Sequence, residues 1–227
     1  MTTILAIDTS SEACSASLYI NNSTNTRFEI APQAHSDLIL KMCSELLLEA
    51  GISLSELDGI AFSRGPGSFT GLRIGAGVVQ GMAYAQDLPV INISSLDALA
   101  YFGARKQPGK AILASIDARM GEVYWRRYHT VDTGLLISDT EEQLSRPEDI
   151  KHDGTSHLIG VGTGLKLILE NDNSGFNLKD FDHIYSDQLV SAEEIALLAA
   201  NNTDKNAWQT AEQAIPVYLR NNVVHQR

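Results

Sequence analysis

Arg64-Gly65-Pro66-Gly67-Ser68-Phe69-Thr70-Gly71-Leu72-Arg73-Ile74-Gly75-Ala76-Gly77 separates two segments of different character. Residues 57–63 before it form a short apolar run that reads as a strand. Residues 72–86 after it continue as a helix. Gly65, Gly67, Gly71 and Pro66 between them predict a sharp turn that delivers backbone N–H groups at a helix start. Such a surface admits the close approach of an anion or of another backbone. Gly71, Gly75, Gly77 and Gly81 all fall in or at the edge of the following helix, where each costs up to about 1 kcal/mol relative to alanine. Close packing on more than one face is therefore the better account of the stretch than a phosphate cradle.

Composition narrows the possibilities. The chain has 227 residues, 44% hydrophobic and 20% charged, which suffices for one large domain or two lobes. Its net charge is -11, with no lysine- or arginine-rich run, so independent nucleic-acid binding is not expected. Cys14 and Cys43 have neither disulfide-framework nor metal spacing. The first residues lack the basic flank and apolar length of a signal peptide, and nothing approaches 18 consecutive apolar residues. A soluble, cytoplasmic protein is expected.

In chain order, residues 4–7, 14–20 and 26–30 read as a three-stranded meander whose first turn, Asp8-Thr9-Ser10-Ser11, is lined with hydroxyls. Residues 32–50 predict a helix with Ser36 and Asp37 as capping residues and Gly51 as its stop. Leu38, Ile39, Leu40, Met42, Cys43, Leu46, Leu47 and Ala50 spread over about 200° of this helix, wider than the roughly 100° needed to pack on one sheet. A second buried side, supplied by another chain, is the expectation. Further strands are expected over 88–93, 111–116, 122–129 and 158–161, and helices over 95–102, 165–170 and 191–200. Residues 130–157 have weak periodicity, and 215–220 read as an extended tail. A strand, a glycine turn and a helix recur in both halves. Two lobes on a similar plan follow, the first over 1–105 joined by 208–227, the second over 106–207.

The turn at Asp8, Thr9, Ser10 and Ser11 and the later turn at Gly160, Gly162, Thr163 and Gly164 resemble the two phosphate turns of the actin-like ATPase fold, although simple turns would look the same. A more specific resemblance lies in Ile7-Asp8-Thr9-Ser10, His35-Ser36, Gly65 to Gly75, Asp117-Ala118-Arg119-Met120-Gly121-Glu122-Val123-Tyr124 and Pro216-Val217-Tyr218-Leu219-Arg220. In this order and spacing these are similar to the TsaB (YeaZ) family, dense over 1–125 and thin over 130–210. The resemblance implies an α/β, two-lobed actin-like (ASKHA, RNase H-like) fold, each lobe a mixed sheet packed with helices. It also implies an accessory subunit for forming threonylcarbamoyladenosine at adenosine 37 of tRNAs reading codons that start with A.

The expected partners are a TsaD-like paralogue that transfers the threonylcarbamoyl group and a TsaE-like ATPase, with a homodimer in their absence. Neither nucleic acid nor a membrane is an expected direct partner. The paralogue's hallmark His-x-x-x-His pair is replaced here by Ser95-Leu96-Asp97-Ala98-Leu99, and the six histidines contain no i, i+4 pair, so no metal is expected. No cofactor is expected on this chain alone, ATP being used by the complex, and the turns at 8–11 and 160–164 are read as vestigial.

The expected interface draws on the first-lobe helices: Leu38, Ile39, Met42, Leu46, Leu47, Arg73, Gly77, Gln80, Gly81 and Tyr84. Arg64, Gly65, Pro66, Gly67, Ser68, Phe69, Thr70 and Gly71 form the family-motif loop, with no catalytic role. His35 is assigned to capping or polar packing. Two alternatives remain open: an autonomous ATP-binding enzyme of the actin-like or sugar-kinase superfamily, and, ranked last, a peptidase acting on its paralogue. No nucleophile–base pair supports the latter.

Overall fold

The computed structural model describes residues 2–131, 136–152, 154 and 156–220. The chain divides into two compact units, Met1–Ala98 with Leu189–Pro216 and Leu99–Gln188 with Val217–Arg227.

The first unit opens with Ile4–Asp8 (β1), Ala13–Ile20 (β2) and Ser23–Ile30 (β3), each antiparallel to the one before. Helix His35–Ala50 (α1) follows and stops at Gly51, whose φ of 69° is the left-handed C′ conformation glycine tolerates best. It begins at His35, and its N-cap Ala34 makes no side-chain bond, so Ser36 and Asp37 lie inside the first turn and do not cap it. Strand Gly59–Gly65 (β4) runs parallel to β1, and helix Phe69–Gln86 (α2) connects it to Val90–Ser94 (β5), parallel to β4. Ser68 caps α2 by accepting the Gly71 amide at 3.3 Å. Ser94 Oγ accepts the amides of Leu96 and Asp97 at the start of Ser95–Lys106 (α3).

The second unit repeats the plan. Ile112–Asp117 (β6) pairs antiparallel with Val123–Thr130 (β7), which also carries Leu136–Ser138 (β8) and Gln143–Ser145 (β9). Leu158–Val161 (β10) runs parallel to β6, and Gly164–Glu170 (α4) leads to Phe181–Tyr185 (β11), parallel to β10. The strand order β11-β10-β6-β7-β8 matches β5-β4-β1-β2-β3 in both sequence and direction. The echo of strand, glycine turn and helix is thus a repeat of topology. Leu113, Val123, Trp125, Leu158, Leu165, Ile168, Phe176 and Phe181 form the core of this unit.

The chain then returns to the first sheet. Helix Ala192–Ala200 (α5) packs on β1 and β2, and Trp208–Gln209 (β12) pairs antiparallel with β5 to become the edge. The division of the sequence at 105/106 and 207/208 puts α5 in the second lobe; in the structure it covers the first sheet. The reason lies in strand alternation. Leu5, Ile7, Cys14, Ala16, Leu18, Ile60 and Phe62 pack with Ile39, Met42, Cys43 and Leu46 of α1 and Ala76, Val79 and Ala83 of α2. Their neighbours along the strands point the other way, and there Ser15 Oγ accepts the Ala192 amide of α5 at 2.9 Å. A sheet covered on both faces explains why β1 is apolar without alternation. Residues 221–227, also assigned to the first lobe from the sequence, lie outside the described residues, as does residue 1.

Candidate partner-binding surface

The motif loop and the polar turn at 8–11 are packed into one another. A Cβ on Gly67 would sit 2.4 Å from the Ser10 carbonyl oxygen, one on Gly71 only 1.9 Å from the Thr9 oxygen, and one on Gly75 2.5 Å from Thr9 Oγ1. The Ser68 amide donates to the Ser10 carbonyl at 2.7 Å, and Thr9 Oγ1 donates to the Gly71 carbonyl at 2.8 Å. Asp8, Thr9 and Ser10 are buried as a result, and Ser11 is half-buried. The glycines of the signature stretch thus let the chain's own backbone seal the first turn. His35, buried at the start of α1, ties down the same turn, its Nε2 lying 3.0 Å from the Ser11 carbonyl and 3.2 Å from that of Ala13.

Asp8 is the chemically unusual group here. The Ser10 amide donates to Oδ1 at 3.2 Å, while Oδ2 and Ser10 Oγ are buried with no hydrogen-bond partner among the described residues. Burial pushes the carboxyl up to about 7, with Ser10 and Ser63 pulling in the opposite direction. Ser63 and Ser95 satisfy each other at 2.6 Å.

The second glycine turn is built alike. A Cβ on Gly162 would lie 2.2 Å from the Ser115 carbonyl oxygen, and one on Gly164 2.1 Å from Ser115 Oγ. Gly160 faces the side chains of Leu165 and Phe181, and Thr163 Oγ1 accepts the Asp117 amide at 3.1 Å. Beside it, the motif turn Arg119-Met120-Gly121 has three successive positive φ values, 63°, 59° and 75°. Arg220 holds this turn, pairing with Glu122 at 2.5 Å and donating to the Arg119 carbonyl at 3.4 Å. Nothing in the spacing of residues 100 apart announces that clamp.

The helix surfaces separate the expected interface residues into two groups. Ile39, Met42 and Leu46 belong to the chain's own core, with Ile39 and Leu46 fully buried. Leu38 and Leu47 are half-buried against the same core. Ile39, Met42 and Leu46 are therefore corrected, since the sheet beneath α1 uses the part of the apolar arc in which they lie, while Leu38 and Leu47 keep part of their surface at its margins. The remainder of the arc is open, with Leu40 at 51% and the neighbouring Leu48 at 81% exposure. Leu40 belongs to the 200° arc, at its outer margin, but neither it nor Leu48 is among the interface residues expected from the sequence.

On α2 the split falls among the glycines. Gly71 and Gly75 face Thr9, whereas a Cβ on Gly77 or Gly81 would meet nothing within 4 Å. Arg73, Gly77, Gln80, Gly81 and Tyr84 share one stripe about 100° wide at helical spacing. Tyr84 is 76% exposed, the Arg73 guanidinium lies 3.8 Å from the Phe69 ring centroid, and Gln80 donates to the Ala214 carbonyl. Two glycines cost stability on this stripe and relieve no contact among the described residues.

Burial also decides the cysteines. Cys14 and Cys43 are pushed up to about 12, chiefly by desolvation, which leaves both thiols protonated and unreactive. Among the described residues no group of three or more His, Cys, Asp or Glu is placed to hold a metal, and no helix is long and apolar enough to cross a membrane.

The family model described as "TsaD: tRNA N6-adenosine threonylcarbamoyltransferase" matches residues 20–226. The tRNA threonylcarbamoyladenosine biosynthesis protein TsaB of Escherichia coli (strain K12) is 40% identical over 225 residues, covering 97% of this chain and 95% of that protein. The chain belongs to the TsaB/YeaZ family. The Haemophilus influenzae TsaB is 36% identical over 97% of this chain and 94% of its own. A solved structure, YeaZ from Pseudomonas aeruginosa, superposes with a TM-score of 0.88 at 38% identity, covering 96% of this chain and all of that one. Membership of TsaB/YeaZ carries the two-lobed actin-like fold, consistent with the duplicated sheets, and a place in tRNA threonylcarbamoyladenosine biosynthesis.

Proposed function

We propose that this chain is a non-catalytic subunit that docks a TsaD-like paralogue through the outward stripe of α2 and the open part of α1, and so enables that paralogue to form threonylcarbamoyladenosine at adenosine 37 of tRNA. A TsaE-like ATPase completes the assembly, and the setting is the cytoplasm. The observation that carries the reading is the pair Gly77 and Gly81. They destabilise the exposed face of a helix, meet nothing within 4 Å among the described residues, and lie beside an exposed Tyr84. A second backbone laid close against α2 would use the space they leave, with Tyr84 as an aromatic anchor and Leu40 and Leu48 extending the contact. The negative charge is compatible with leaving tRNA to the partners.

The absence of catalysis by this chain is part of the proposal. It is supported by the sealed turn at 8–11, whose Ser68 amide and Thr9 hydroxyl already bond the chain's own carbonyls. An autonomous ATP-dependent enzyme would need those groups turned toward phosphate. The test is co-purification with the paralogue, followed by an assay of modified tRNA. Gly81→Glu and Tyr84→Glu should each abolish co-purification and modification while leaving the melting temperature of the isolated chain near the parent value. Undiminished complex formation by both variants would refute the docking surface, and ATP turnover by the isolated chain would refute the non-catalytic role.

A further inference from the structure

The chain has four methionines, of which Met1 lies outside the described residues. Met42 is buried in the core of the first unit and Met82 is half-buried against it, whereas Met120, in the motif turn of the second unit, is 62% exposed. The backbone of that turn is held from several directions. The Asp117 carboxylate accepts the Arg119 amide at 2.7 Å, the Ala118 amide donates to the Glu122 carbonyl at 3.0 Å, and the Glu122 amide donates to the Arg119 carbonyl at 3.2 Å. These bonds keep Arg119 and Met120 at φ values of 63° and 59°, a region that residues with a side chain seldom adopt. The Met120 side chain is held as well. Arg220 is anchored through Nη2 on Glu122 and the Arg119 carbonyl, and its Nη1 donates to Met120 Sδ at 3.3 Å. A thioether sulfur is a weak acceptor with two lone pairs. Here a guanidinium occupies one of them.

We propose that Met120 is a site of reversible oxidation by peroxides, and that Arg220 makes the oxidation stereoselective. The lone pair not engaged by Nη1 attacks one oxygen of hydrogen peroxide. An S–O bond forms and the O–O bond breaks, and the departing hydroxide takes up the proton of the transferred oxygen and leaves as water. The sulfur loses two electrons and the peroxide gains them. The engaged lone pair cannot attack without giving up its bond to Arg220. Oxygen is therefore added to the other, and one sulfoxide epimer forms in excess. An exposed methionine without such a contact rotates freely and offers both lone pairs alike. Oxidation then weakens the sulfur as an acceptor and adds a stronger one. Rotation about the Cγ–Sδ bond brings the new oxygen to Nη1, so the clamp survives the modification. Oxidation of Met42 would instead place a polar group in a packed core. Met120 and Arg220 belong to the second unit and the α2 stripe to the first, so neither site depends on the other.

Limiting hydrogen peroxide, peptide mass mapping and the two methionine sulfoxide reductases, each specific for one epimer, test it on the full chain. Met120 should take up oxygen about tenfold or more faster than Met42 and Met82, and Met120→Leu should abolish the early uptake. After oxidation the chain is denatured, so that access to the reductases is equal for both epimers. One reductase should then restore about threefold or more of the Met120 sulfoxide than the other. Arg220→Ala should oxidise at Met120 no more slowly, with the two epimers close to equal. The parent chain oxidised at Met120 should keep a melting temperature near that of the reduced chain. Earlier oxidation of Met42 or Met82, an even epimer mixture in the parent chain, or an unchanged excess in Arg220→Ala would overturn the proposal. A melting temperature several degrees lower after oxidation at Met120 would refute the surviving clamp.

Discussion

Replacing Asp8 by asparagine should change how stability depends on pH, and the structure sets the size of the change. Asp8 is fully buried, its Oδ2 has no hydrogen-bond partner among the described residues, and its carboxyl is raised from 3.8 to about 7. The folded chain therefore holds a proton that the unfolded chain releases near pH 4, and stability falls as pH rises through that interval. At about 1.36 kcal/mol per tenfold change, the fall from this one group is roughly 4 kcal/mol between about pH 4 and pH 7. Asparagine cannot ionise and removes that slope. Its NH2 group brings two donors to the place of Oδ2, where the protonated carboxyl brings one and only the Ser10 and Ser63 hydroxyls are near, a penalty of about 1–3 kcal/mol at every pH. Asp8→Asn should thus be the less stable protein near pH 4 and the more stable one near pH 8. Urea unfolding of both proteins at about pH 4, 6 and 8 gives the difference directly, and every other titrating group cancels in it. A difference independent of pH would refute the reasoning, because it would mean that Asp8 is ionised in the folded state throughout.

The glycines should respond with opposite signs. Gly71→Ala forces a methyl into the Thr9 carbonyl and should lower stability by about 3 kcal/mol or more, whereas Gly77→Ala and Gly81→Ala meet open space and should each raise it by up to about 1 kcal/mol while weakening paralogue capture. Thermal melts and co-purification of the same three variants check both halves, and a stabilised Gly71→Ala would contradict the packing described. On α1, Leu46→Ala should cost about 2–5 kcal/mol and Leu48→Ala almost nothing, since the first is fully buried and the second 81% exposed. Equal effects on the denaturation midpoint would contradict the orientation of the helix.

The elements legible in the sequence were those with strong local signals. The meander at 4–30, the Gly51 stop, the Ser191 cap (which accepts the Glu193 amide) and the glycine loop each carry their own turn or capping chemistry. The width of the apolar arc on α1 was legible as well, but periodicity states only that an arc is wide. It does not say which part lies on the chain's own sheet, so Ile39, Met42 and Leu46 read as partner-facing when they are core. The glycines of α2 failed in the same way: spacing showed that something comes close, and only the fold assigns Gly71 and Gly75 to Thr9. β11 escaped because Phe181-Asp182-His183-Ile184-Tyr185 carries two polar residues in five, and β8 and β9 are three residues each. The place of α5 was not legible from any window, because which sheet a helix covers depends on topology and not on its own residues.

That return of the chain to its first sheet bears on the order in which the protein is made. Every residue of Leu99–Gln188 leaves the ribosome before α5 does, so the second unit has nearly its whole sequence available while the first lacks one of its two layers. Until residues 192–200 emerge, the face of β1 and β2 that receives α5 has no cover, and Ser15 waits for an amide 177 positions away. The lobe that begins first cannot close until the second is nearly complete. Its assembly is governed by the closure of a long loop, which favours slow completion and an interval in which a nascent apolar sheet face is open to chaperones.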